Sequence, residues 1–115
     1  MEKFRNLLVY QKAHLLVLYI YKITKKYPDD EKFGLVIQMR RAAISVAANI
    51  VEGSKRNGIS DRKRFHNMSD TSLEELKYYA ILSLDLNFID KEESEKLIEY
   101  CREVGRMLHS LTQSL

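Results

Sequence analysis

From Leu35 to Gly53 the chain reads LVIQMRRAAISVAANIVEG, and its apolar positions outnumber what one face of a helix can hold. Leu35, Val36, Ile37, Met39, Ala42, Ala43, Ile44, Val46, Ala47, Ala48, Ile50 and Val51 sweep about 240° of the helical wheel, against a stripe of about 100° on an ordinary surface helix. Such a helix needs cover on two sides. Gln38, Arg41, Ser45, Asn49 and Glu52 form the only continuous polar strip, roughly 80° wide, while Arg40 stands alone inside the apolar arc. In so short a chain one side can be hidden by the chain's own core, so the other is expected to meet a second copy of the protein. A charge change at Arg40 or Ala47 should break that contact.

Helical spacing dominates the remaining sequence, and no run of alternating β-branched residues competes with it. A first helix is expected from about Leu7 to Tyr27, with Val9, Ala13, Leu16, Ile20 and Ile23 on one face and Pro28 closing it. Asp29 or Asp30 should cap a second helix ending near Gly53. Lys55 to Ser60, with Asn57 and Gly58, reads as a turn. Ser60 is the expected cap of a third helix reaching Asn87 and burying Phe65, Met68, Ser72, Leu76, Tyr79, Ala80 and Ser83. The fourth carries the cleanest signals, with Asp90 as cap, Glu93 three residues on, then Leu97, Cys101, Val104, Leu108, Leu111 and Leu115 at steps of four and three. Four helices of about 21 to 27 residues, each roughly 30 to 40 Å long, joined by short connections, predict an all-α, antiparallel up-down-up-down four-helix bundle.

At 115 residues this is one expected domain, residues 1–115, large enough for a real core. The single cysteine, Cys101, excludes an internal disulfide and reads as a core thiol. The opening MEKFRNLL lacks the features of a signal peptide, and Leu15 to Tyr21 is too short to span a bilayer, so a cytoplasmic location is expected. The net charge of +3 is unevenly spread. Residues 38–66 hold seven basic groups against two acidic ones, and residues 67–99 hold nine acidic groups against three lysines. Up-down topology would gather Lys3, Arg5, Lys55, Arg56, Arg62, Lys63, Arg64 and Arg106 at one end. Assembly about an axis along the helices would add their fields on one face.

Two groups of candidate residues follow. Lys55, Arg56, Arg62, Lys63 and Arg64 are close enough in sequence to contact the phosphate backbone of RNA or DNA, and no base-reading module accompanies them. Arg41, Ser45, Asn49, Glu52 and Glu75 read as a structural polar network. In a hairpin closing near Asn57, Arg41 falls level with Ser72 to Glu75 and Glu52 with Arg62, so Arg41–Glu75 and Glu52–Arg62 ion pairs are expected, with Ser45 and Asn49 bonding across helices. Catalysis is not expected. His14, His66 and His109 are widely separated, no phosphate-binding glycine loop is present, and Glu74 and Glu75 point in different directions on a helix. No cofactor or metal is implied. Tyr10, Tyr19, Tyr21, Tyr78 and Tyr79 have the spacing of packing residues.

Gln38, Arg40, Arg41, Ala42, Ala43 and Ser45, followed by Asn49, Ile50, Glu52 and Gly53, resemble the bacterial 23S rRNA intervening-sequence proteins. The resemblance continues through Phe4, Leu7, Val9, Gln11 and Ala13, through Glu31 and Phe33 to Leu35, through Ser72 to Leu76, and through Gly105 to Leu108 and Leu111. Val51 departs from it, standing where that family's pattern has a smaller alanine. The resemblance implies an antiparallel four-helix bundle that forms a ring-shaped homo-oligomer, a pentamer; the apolar surplus of the second helix makes it the expected source of much of the interface. Some members are encoded within insertions in 23S rRNA genes. Relatives serve diversity-generating retroelements, where a basic pentamer contacts reverse transcriptase and RNA. The expected function is a non-enzymatic accessory factor that binds nucleic acid, and the alternative is a protein-binding scaffold.

Overall fold

The computed structural model describes residues 2–115 and contains four long helices: α1 (Leu8–Thr24), α2 (Leu35–Lys55), α3 (Ile59–Asp85) and α4 (Lys91–Gln113). Short 3-10 turns at Lys3–Asn6 and Asp29–Glu31 precede α1 and α2, and there is no strand among the described residues. The architecture is an all-α four-helix bundle in which α1 lies beside α2 and α4, and α3 lies beside the same two.

α1 buries the predicted face: Val9, Ala13, Leu16, Ile20 and Ile23 all enter the core. It ends at Thr24 rather than Tyr27, because Pro28 disfavours helical backbone at the residue before it. Thr24 turns its hydroxyl back to the Ile20 carbonyl at 2.6 Å. The second helix also starts later than expected. Asp29 and Asp30 do not cap it; they lie in the 3-10 turn, and α2 begins at Leu35, whose N–H donates to Glu31 Oε1 at 3.1 Å. Gly34 permits that reach, since a Cβ there would come within 2.8 Å of the same oxygen.

Gly53, expected to end α2, lies inside it. The helix runs on to Lys55, and the missing Cβ lets α2 press against α3, where an added methyl would meet His66 Cδ2 at 3.2 Å and Phe65 Cβ at 3.3 Å. α3 starts at Ile59 with Gly58 preceding it, so Ser60 falls within the first turn and caps nothing. At its other end Asn87 adopts φ 63°. The bonds Phe88 N–H to Ser83 O and Asn87 N–H to Leu84 O, both 2.9 Å, close a Schellman turn there. α4 has the predicted capping box: Glu93 N–H donates to Asp90 Oδ1 at 2.8 Å and Asp90 N–H to Glu93 Oε1 at 3.1 Å.

On α3, Phe65, Ser72, Leu76, Ala80 and Ser83 are buried as expected, Tyr79 is half-buried, and Met68 is exposed, because it falls on the side turned away from α4 and the core. Its core stripe is unusually rich in serine. Ser69 donates to the Val46 carbonyl, Ser72 to Ser45 Oγ at 2.9 Å, and Ser83 to Met39 Sδ at 3.7 Å. Small side chains with one donor let α2 and α3 approach closely while each of these three serine hydroxyls finds a partner. Along these contacts residue numbers rise on α2 as they fall on α3.

Candidate nucleic-acid interface

The turn between α2 and α3 brings two of the five predicted phosphate-binding residues over one aromatic ring and leaves the five unequal. The Arg56 and Arg64 guanidinium groups lie over Phe65, at 4.7 and 4.6 Å from the ring centroid. Both also have carboxylate partners. Arg56 pairs with Glu52 at 3.2 Å and Asp61 at 3.6 Å, and Arg64 pairs with Asp61 at 2.9 Å. Arg62 donates through Nε to the Arg56 carbonyl at 2.6 Å and so ties the turn together. Lys55 and Lys63 are exposed, and neither makes an ion pair among the described residues. The accessible positive charge is therefore smaller than the residue count implies.

The wider basic end divides in the same way. Arg5 reaches Glu2 at 4.0 Å and Arg106 pairs with Glu99 at 3.0 Å. The Arg106 guanidinium, followed by that of Arg102, holds the Glu99 carboxyl below its usual range. Lys3 and Arg62, by contrast, border a cavity of about 180 Å³ with Phe4, Leu7, Ile50, Gly53, Ser54, His66, Leu111 and Leu115. The N-terminal turn, the end of α2, the start of α3 and the end of α4 thus meet at one place.

His66 was not singled out as a site residue by the sequence, yet it is buried in the wall of this cavity. Its Nδ1 lies 2.8 Å from Thr112 Oγ1. Burial, reinforced by nearby Arg62, pushes its pKa below the usual 6.5 and keeps the ring neutral at pH 7. The only sequence signal was its position, one residue after Phe65 on the α4-facing side of α3.

The expected polar network forms in part. Ser45 bonds across to Ser72, whereas Asn49 bonds within α2, to Ser45 O at 2.8 Å and Ser45 Oγ at 3.0 Å. The Glu52–Arg62 pair is replaced by Glu52–Arg56, four residues apart across the end of α2, and Arg62 instead donates to the Arg56 carbonyl. Arg41 and Glu75 are exposed and form no ion pair among the described residues; exposed charges gain little from pairing. Arg40 also has a place within the chain: it lies over Tyr21, 4.4 Å from the ring centroid, and donates to Thr24 Oγ1 at 3.1 Å.

A sequence profile described as 23S rRNA-intervening sequence protein matches residues 5–110. The chain belongs to that family. Its fold is similar to the crystal structure of a protein of unknown function from the S23 ribosomal protein family of Bacteroides thetaiotaomicron, with a TM-score of 0.81 at 22% identity, over 91% of this chain and 98% of that one. No curated protein matches the chain.

Within this family member, the second side of α2 is still uncovered. Ile44 is 45% exposed, Ala48 is exposed, and Ile37, Ala47 and Val51 are half-buried. Cys101 lies in the core, where burial pushes its thiol up to about 12, so it carries no thiolate at neutral pH. Among the described residues no three His, Cys, Asp or Glu side chains group as metal ligands, and no helix is long and apolar enough to cross a membrane.

Proposed function

We propose that this protein is a non-enzymatic, cytoplasmic accessory factor that binds the backbone of RNA or DNA through its basic end. In this reading the helices run up-down-up-down, and five copies form a ring that repeats the basic end on one face. The carrying observation is that Lys3, Lys55, Arg62 and Lys63 share that end without a carboxylate partner among the described residues. The α2–α3 contacts, with Met39 opposite Ser83 and Val46 opposite Ser69, support the antiparallel order. The uncovered apolar face of α2 supports self-assembly. The family's name refers to intervening sequences of 23S rRNA and supports a nucleic-acid setting.

The experiment is a shift titration with RNA and DNA at about 50 and 200 mM salt, with light-scattering mass measured on the same sample. Binding by a ring-sized species that collapses at the higher salt, and that Lys55→Glu with Lys63→Glu abolishes, is the expected result. A second reading, a scaffold that binds a protein such as a reverse transcriptase, is favoured by the outer stripe of α1, where Leu8, Leu15 and Leu18 are 68%, 46% and 52% exposed. A ring that binds no nucleic acid at low salt would select it.

A further inference from the structure

His66 has two faces with different chemistry. Thr112 Oγ1 lies 2.9 Å from the Leu108 carbonyl and 2.8 Å from His66 Nδ1. With the hydroxyl proton given to that carbonyl, the oxygen accepts from Nδ1, and this tautomer of the neutral ring leaves Nε2 as an acceptor. The Cδ2–Nε2 edge faces Gly53, where an added Cβ would stand 3.2 and 3.4 Å from those two atoms, and Gly53 and His66 both line the end cavity.

That cavity combines three features. Its walls are apolar, from Phe4, Leu7, Ile50, Leu111 and Leu115, so a flat hydrophobic group can enter. Its polar members are Lys3 and Arg62, which no carboxylate pairs among the described residues, Ser54, and the His66 acceptor; no acidic side chain among the described residues lines it. Ser54 already donates its hydroxyl proton to the Val51 carbonyl at 2.7 Å. A ligand that satisfies all of these is planar, has an N–H to give Nε2, and has an anion for Lys3 and Arg62. A plain fatty carboxylate lacks the inner donor, and the volume of about 180 Å³ is below the roughly 300–1,000 Å³ of sites for larger ligands.

We propose that the end cavity is a nucleotide site, taking one unstacked base against its apolar walls with an amino or ring N–H on His66 Nε2 and the phosphate on Lys3 and Arg62. This deepens the nucleic-acid reading above by assigning the bundle a preference for single strands, whose bases can leave the stack. It predicts that a duplex engages only the surrounding lysines.

Two measurements test it. First, the ring nitrogens of His66 are followed by NMR while adenosine monophosphate, adenosine or inorganic phosphate is added. Adenosine monophosphate should move the Nε2 signal and inorganic phosphate should not; a signal still under all three overturns the site. Second, single-stranded and duplex oligonucleotides of equal length are compared on the wild type and on Leu111→Trp, which fills the cavity without removing a charge. Ser54→Phe, at the exposed rim, serves if Leu111→Trp fails to fold. Single-strand affinity should fall roughly tenfold while duplex affinity holds. Equal loss on both, or loss on neither, overturns the cavity and leaves backbone binding intact. A response of His66 to the mononucleotide with no oligonucleotide bound at low salt supports the cavity and removes the backbone reading.

Discussion

At one end of the bundle Asp90 and Glu93 close a capping box, Glu31 caps α2, and Lys26 pairs with Glu93. At the other end Arg56 and Arg64 lie on Phe65 and share Asp61, Arg62 holds a backbone carbonyl, and Lys3, Lys55 and Lys63 have no acidic partner among the described residues. Both ends use charge to finish helices, but they draw on different partners. Carboxylates at helix N-termini meet backbone N–H groups that the helix itself provides within one turn. The arginines instead depend on an aromatic ring and on acids placed by the turn. Segment charge therefore overstates the charge available to a ligand, and Arg62 and the lysines carry what remains.

The largest expected effect is at the aromatic ring. Phe65→Ala removes a side chain only 8% exposed together with the platform of both arginines, and should destabilise the fold by about 3 kcal/mol in chemical denaturation. Asp90→Ala, which opens the capping box at the opposite end, should cost about 1 kcal/mol in the same assay. If the two ranked in reverse order, the contrast between the ends would be wrong.

A third effect is read through pH. The folded pKa of His66 is depressed by burial, so the unfolded chain takes up its proton first as pH falls. The stability linked to this group is fully present above its unfolded value of 6.5 and is lost as pH drops below that toward the folded pKa. Melting temperature should decline in that window, and His66→Gln should flatten the slope there; an unchanged slope would remove His66 from the account. Smallest of all, Lys55→Glu and Lys63→Glu should each move stability by no more than about 0.5 kcal/mol, because neither side chain is engaged in the fold. A larger change would mean that these lysines, like the arginines beside them, are structural.

The sequence made some of this legible and hid the rest for a physical reason. The α4 capping box and the buried stripe of α1 depend on residues within a turn or two of each other, and both were readable from spacing. The Asp29 and Asp30 caps were misplaced because Glu31, reaching past Gly34, competes for the same role at the distance of one turn. Gly53 has the composition of a helix stop, yet it serves as the thin point where α2 meets Phe65 and His66, which lie on another helix. The Arg41–Glu75 and Glu52–Arg62 pairs required a register between helices that hairpin arithmetic fixes only to within about a turn.

By itself, the sequence determined that the chain is helical, where α4 begins, which stripe of α1 is apolar, and that α2 has more apolar surface than one core can cover, because each of these depends on periodicity and local hydrogen bonding. The tertiary structure alone decided which charges are partnered and which are available, because an arginine's partner is chosen by whatever side chain or carbonyl packing brings within 4 Å of it. It decided in the same way that His66 meets Thr112 across 46 residues of chain, with its free edge turned to a cavity that four separate segments build together.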